Sequence, residues 1–202
     1  MSDTVHGRSP NVEKCPQCGR RMRRTMADHY KYVESGLSSV YLSGIAIYLC
    51  SCGEEVLHLP SIESLHWLIV EKLLKKPSQL RGEELRFIRK YVGLKAADLA
   101  KMLSVDPSTV SKWETGESPI GPANDKLFRL SLTLHMSERL KDAVADWHRK
   151  AADSYLDFLN EIRSLKTKDT DDDTVSITSE ELKHPPLMFT PLRARSVLVD
   201  VS

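Results

Sequence analysis

The segment LRGEELRFIRKYVGLKAADLAKMLSVDPSTVSKWETGESP, residues 80–119, constrains the fold of this chain more than any other. Its apolar residues recur at helical spacing in three short blocks, each closed by its own stop signal. The first block runs from about Gly82 to Tyr91, turns Leu85, Ile88 and Val92 inward, and ends near Gly93. The second runs from about Lys95 to Leu103 and buries Ala96, Leu99, Ala100 and Leu103. Ala100 is small enough to let two helices cross steeply at close range. After the short turn SVD, Asp106 is placed to cap a third helix whose first residue is Pro107. That pairing satisfies an orphan N–H with a carboxylate and puts proline where no N–H is needed. Val110 and Trp113 then face inward, Ser108, Thr109, Ser111 and Lys112 face out, and Gly116 ends the helix. An exposed face of small polar side chains with one long cation has the shape and chemistry to enter a DNA major groove.

The four cysteines fall in two fragments, CPQCG with Cys15 and Cys18, and CSCGEE with Cys50 and Cys52. Each pair sits in a tight turn followed directly by glycine, Gly19 or Gly53. Two such turns brought together across a hairpin make a tetrahedral thiolate site of the structural zinc type. The intervening HYKYV and VYLSGIAIYLC are rich in Tyr, Val and Ile, as strands are, with turns at ESG and LSG. A strand-rich unit this small buries little apolar surface, so a Zn2+ ion would supply its stability. The second turn is one residue shorter than the first, which leaves His29 or His58 as a substitute ligand; disulfide and redox readings also stand beside zinc. A redox role would want one Cys-x-x-Cys within a βαβ pattern, and four protein ligands leave no open position for a substrate.

Between these regions, SIESLHWLIVEKLLKK reads as a linker helix with Ser61 as N-cap, Lys75 and Lys76 near its C-terminus, and Pro77 as its stop. His66 and Trp67 lie on it as packing residues. Residues 137–165 carry the amphipathic stripe Leu140, Val144, Trp147, Ala151, Tyr155, Phe158, Ile162 and Leu165, fit either to fold back on its own domain or to form a dimer interface. From KTKDTDDDTVS onward the composition turns acidic and polar, as flexible segments do, and PPLMFTPLRARSVLVDVS closes the chain. The basic run RRMRR, Arg20–Arg24, reads as a solvated face or as a surface for an acidic partner or DNA.

The Arg of FIRK, the GL-x-x-x-x-LA pattern and STVSKWE-x-G closely resemble the Cro/phage-repressor, or XRE, class of helix-turn-helix domains. This resemblance implies an ion pair between Arg89 and Glu114 joining the first and third helices. It places Ser108 and Lys112 at base edges with Pro107 and Ser111 alongside, and Thr109 and the N–H groups near Lys95 at phosphates. Two positions depart from the pattern. Ala96 stands where many relatives carry a DNA-touching glutamine, and Ser104 stands where glycine is common, a change tolerated provided Ser104 keeps an ordinary negative φ. Joined to the cysteine turns, the whole span of roughly residues 15–135 resembles the MqsA, or YgiT-type, antitoxins, whose zinc domain binds a toxin and whose second domain dimerises on an operator.

The expected architecture is α+β: a flexible N-terminus at 1–13, a small strand-rich zinc-binding domain at 14–60, a linker helix at 61–79, an all-α helix-turn-helix domain at 80–135, a long amphipathic C-terminal helix at 136–166, and a flexible tail at 167–202. A net charge of +1 excludes global attraction to nucleic acid, so binding to double-stranded DNA must be local. No membrane span or secretory leader is legible, which points to the cytoplasm and reduced thiols. No nucleophile–base pair or phosphate loop stands out, so the chain reads as a non-enzymatic repressor. Its expected partners are operator DNA, a second copy of itself, and a protein toxin. The alternative is a free-standing zinc-containing regulator.

Overall fold

A computed structural model of the chain describes residues 14–141, 157, 160–162 and 174–183. The expected flexible N-terminus, most of the amphipathic stripe after residue 141 and most of the tail lie outside the described residues. Strands β1 (Arg23–Ala27), β4 (Ile45–Leu49) and β5 (Glu55–His58) form one antiparallel sheet in the order β1-β4-β5. A second sheet joins β2 (Tyr30–Lys31), β3 (Val40–Ser43) and β6 (Val175–Thr178) in that order. The run VYLSGIAIYL therefore serves both sheets, and it changes sheet at Gly44. That residue has φ of +65°, and an added Cβ would lie 2.9 Å from the Ser179 Oγ. A β-carbon there would be strained by the backbone and would push the Ser179 side chain aside.

The helices are α1 (Ile62–Lys75), α2 (Gly82–Tyr91), α3 (Ala96–Met102), α4 (Pro107–Thr115), α5 (Pro122–Lys141) and the short α6 (Ser179–Lys183). Ser61 caps α1 by accepting the Ser64 N–H at 3.1 Å. The sequence cast α1 as a linker, and the structure corrects this. Leu65, Trp67, Leu68, Ile69, Val70, Leu73 and Leu74 are all buried, so α1 is apolar around most of its circumference. It sits in one continuous core with Val40 and Leu42 of β3, Leu85 and Ile88 of α2, and Phe128 and Leu132 of α5.

The tail needs the same correction. Within the expected flexible segment, β6 pairs in parallel with β3 from Val40↔Val175 to Ser43↔Thr178, and Val175, Ile177 and Leu182 are buried. The alternation in VSIT presents two β-branched residues to the core, which outweighs the acidic composition before it. Lys72 to Glu181 at 2.6 Å and Lys75 to Glu161 at 3.0 Å tie C-terminal residues to α1. Ile162, the fully buried member of the amphipathic stripe among the described residues, joins the same core. The boundary expected at residue 135 falls inside α5, which runs unbroken from Pro122 to Lys141.

The junction between α1 and α2 is locked rather than hinged. Pro77 forces Lys76 into an extended conformation, so the last turn of α1 lacks a glycine cap for its carbonyls. Arg129 of α5 supplies the missing donors. Its Nη1 bonds the carbonyls of Leu73 at 3.2 Å, Leu74 at 2.8 Å and Lys76 at 2.7 Å, and its Nη2 bonds that of Ser78 at 2.7 Å. Asp125 balances the charge, bonding Arg129 Nε at 2.9 Å and the Leu80 N–H at 3.0 Å. Beside it, buried Glu84 accepts two 2.8 Å bonds from Lys76 and the Arg81 N–H at 2.7 Å. Burial pushes the Glu84 carboxyl above its ordinary range, against the pull of Lys76. Gly82 opens α2 directly over α4, where an added Cβ would lie 2.3 Å from the Trp113 carbonyl oxygen.

Candidate functional site

Two local constructions carry chemistry. The first is the pair of cysteine turns. The Gly19 N–H closes the first turn on the Cys15 carbonyl at 2.9 Å, and the Gly53 N–H closes the second on the Cys50 carbonyl at 3.1 Å. The second ring is one residue smaller, which is how Cys-Ser-Cys does the work of Cys-x-x-Cys. β4 ends at the second turn and β5 begins after it, while the bridge between Lys14 and Arg21 frames the first. The turns meet so that Cys15 Sγ lies 3.6 Å from Cys52 Sγ and Cys18 Sγ lies 3.4 Å from Cys50 Sγ.

All four sulfurs lie within 4.8 Å of one another, and the cluster includes no histidine. His29 is instead stacked on Tyr41 at 4.2 Å, and His58 meets Tyr48 edge-on at 6.3 Å. A tetrahedral ion with metal–sulfur bonds of about 2.3 Å needs sulfur–sulfur edges of about 3.8 Å, so the donor set fits such an ion. Electrostatics point the same way. The Cys50 thiol is pulled down to about 6, chiefly by the backbone N–H of Cys52. Cys52 is pushed up to about 12: the Glu54 N–H favours its thiolate, but the neighbouring sulfurs of Cys50, Cys18 and Cys15 outweigh it. Four thiols this close cannot all ionise unaided, and a dication at their centre removes the conflict. Beneath them Cys15, Met22 and Tyr48 form only a small apolar cluster, separate from the main core, so this end of the fold has little else to hold it.

The run Arg20–Arg24 divides between two environments. Arg20 reaches Ser51 Oγ at 3.4 Å across the two turns, Met22 points inward, and Arg23 and Arg24 belong to β1. Half of what reads as a charge run is therefore an edge strand with exposed arginines.

The second construction is α2–α3–α4. Its bounds agree with the sequence expectation to within a residue. Arg89 and Glu114 form the expected pair, two-pronged, with Nε–Oε1 at 2.5 Å and Nη2–Oε2 at 2.8 Å. The Glu114 bond, stronger here than the opposing burial, holds the Arg89 pKa above its ordinary value. Nη1 also reaches the Leu94 carbonyl at 2.8 Å, so one guanidinium fixes α4 and the α2–α3 turn together. Asp106 caps α4 by accepting the Ser108 N–H at 2.8 Å, and Ser108, side chain first, holds the Asp106 carboxyl below its usual range. Ser108 thus serves the cap as well as the surface.

Pro107, Ser108, Ser111 and Lys112 are exposed on α4, Thr109 is half-buried, and Lys95 is exposed at the start of α3. Sequence reasoning missed Glu117, which lies 3.6 Å from Lys112 with both side chains more than half exposed. Its position past the terminating Gly116 hid it. The condition set for Ser104 fails: its φ is +54°, in the left-handed region, so the turn carries a serine where glycine fits better.

Residues 85–139 match a family model described as a helix-turn-helix. The chain matches no curated protein and no solved structure. The matched span begins in α2 and ends in α5, so these helices form a helix-turn-helix domain, a unit that supports binding to double-stranded DNA. The fold class is α+β, with the strand-rich region preceding the helical one. Among the described residues, no helix is long and apolar enough to cross a membrane.

Proposed function

We propose that this chain is a sequence-specific regulator of transcription that represses from a palindromic DNA operator as a homodimer, with a structural Zn2+ held by Cys15, Cys18, Cys50 and Cys52. The exposed α4 face carries this reading, because it is held rigid by the Arg89–Glu114 pair and presents Ser108, Ser111 and Lys112 together. Lys112 suits the guanine O6/N7 edge; Thr109 and the N–H groups near Lys95 suit phosphates. Lys112 leaves its exposed contact with Glu117 at little cost, since such pairs contribute at most about 1 kcal/mol. One helix-turn-helix covers only a half-site, so a second copy completes the operator. The bound ion would hold the β4–β5 turn to the chain before β1, and no substrate position remains in a four-thiolate set.

Duplexes selected by the full-length protein from a random library supply the test. Lys112→Ala should lose about 1–3 kcal/mol on the selected sequence while keeping its non-specific binding. Equal affinity of variant and parent for the selected sequence removes α4 as the reading helix.

The pairing of cysteine turns with a helix-turn-helix supports a finer reading, in which the metal-bearing half holds a protein toxin and the chain is an antitoxin. The docking of β6 on the N-terminal sheet favours a free-standing regulator. Co-expression of the full chain with the product of the adjacent gene separates them. Retention by the parent but not by Cys18→Ser supports the antitoxin; no retention, with DNA binding intact, supports the regulator.

A further inference from the structure

A groove of about 550 Å³ opens between the 3-10 turn at Val33–Ser35, α1 and α2, and none of the four cysteines lines it. That volume lies in the range of small-molecule sites, about 300–1,000 Å³. His66, Phe87 and Tyr91 give it ring walls. His66 is fixed by Tyr32 Oη at 3.3 Å and meets Phe87 edge-on at 5.6 Å, while Tyr91 leans on Trp67 at 6.3 Å. The rings are therefore set in place before anything binds.

The charges in the groove are unequal in what they have left to offer. Of its carboxylates, Glu83 already accepts the Ser38 N–H at 3.0 Å and the Ser38 hydroxyl at 2.5 Å, and Glu114 is occupied by Arg89. Arg86 and Lys90, one helical turn apart on α2, are exposed and have no ion pair among the described residues. Ring walls beside two open cations select a flat apolar body with an anionic group.

We infer that this groove binds a small aromatic anion, an aryl ring bearing a carboxylate, sulfonate or phosphate, and that its occupancy is felt at α4 through Glu114. An anion seated by Arg86 and Lys90 raises the negative potential beside the Glu114 carboxylate and competes for Arg89. That pair fixes α4, so binding in the groove weakens the hold on the reading helix. This second clause rests on the DNA-binding reading; the site itself does not.

The test uses the zinc-loaded full chain with 1-anilinonaphthalene-8-sulfonate followed by its own fluorescence, salicylate followed likewise, and uncharged N-phenyl-1-naphthylamine as control. Saturable binding of at least one anion is expected, at least tenfold weaker for the double variant Arg86→Gln, Lys90→Gln, whose thermal midpoint should match the parent's because both side chains are exposed. Equal binding by the double variant, equal binding of the uncharged probe, or saturation by neither anion overturns the site. On the selected duplex, a saturating anion should lower the parent's affinity about fivefold or more, the lower end of ordinary coupling between sites. Unchanged DNA affinity with the anion bound overturns the coupling through Glu114. A parent that binds no DNA refutes the DNA-binding reading, and the fluorescence arm still decides the groove.

Discussion

Arg129→Met tests the idea that one side chain bears much of the stability of the α1–α2 junction. Arg129 is buried and makes five bonds, one to the Asp125 carboxylate and four to the carbonyls of Leu73, Leu74, Lys76 and Ser78. A hydrogen bond from an ionised donor nets about 1.5–3 kcal/mol, but five on one guanidinium do not add independently. Methionine fills much of the volume and returns some packing. What remains is an uncompensated buried Asp125 and a helix end with unmet carbonyls. Breaking a buried pair from one side costs about 3–5 kcal/mol, so about 4 kcal/mol is expected. For a chain of this size that corresponds to a fall in Tm of about 8–16 °C. Urea unfolding followed by tryptophan fluorescence measures it, with Trp67 on α1 and Trp113 on α4 reporting both sides of the junction. Adding Asp125→Asn should restore about 1–2 kcal/mol, because it removes the stranded charge while an amide oxygen still accepts the Leu80 N–H. A single variant that loses under about 1 kcal/mol, or a double variant as unstable as the single, refutes the reasoning.

Other predictions follow from particular groups. Ser104→Gly relieves a left-handed residue and should stabilise the fold by about 0.5–1 kcal/mol in the same urea experiment. Burial holds the His66 imidazole below its ordinary value of about 6.5, so the folded chain binds fewer protons there than the unfolded one. Its contribution is complete above that pH and is lost as pH falls through the lowered folded value. Urea midpoints between pH 7.5 and 5 should fall less for His66→Gln than for the parent. Cys18→Ser should take zinc content from one ion per chain to near zero and speed amide exchange in β1, β4 and β5 while the slow amides of α2 and α4 persist.

The helix-turn-helix was readable because its signals are local. Asp106, Pro107 and Gly116 mark the ends of α4 within a dozen residues, and the Arg89–Glu114 pair belongs to a pattern carried by one short segment. The cysteine cluster was readable because few side chains besides thiolates gather at that spacing. The features missed are those whose partner lies far along the chain. Nothing near VSIT announces that β3 has an open edge, and its acidic surroundings argue for a solvated segment. Apolar residues around most of α1 fit a linker only until its neighbours are known. Arg129 carries no local signal of its role, because what it satisfies is the end of α1 at Pro77, more than fifty residues earlier. The left-handed φ of Ser104 belongs to the cap of α3, where the Val105 N–H bonds the Ala100 carbonyl at 2.9 Å and the Ser104 N–H that of Lys101 at 3.1 Å, a closure that overrides the residue's own preference.

The pairing of β3 with β6 has a consequence for how the protein is made. Val40 and Val175 are register partners about 135 residues apart. At a ribosomal rate of about 5–20 residues per second, the far edge of β3 waits on the order of ten seconds for its partner strand to be synthesised. During that interval Val40 and Leu42 stand at an open edge, the sort of template on which neighbouring nascent chains can pair. Messages that end before codon 175 would leave that edge open for good. Their products should collect in inclusion bodies or be captured by chaperones, even though every residue of the helix-turn-helix span is already present.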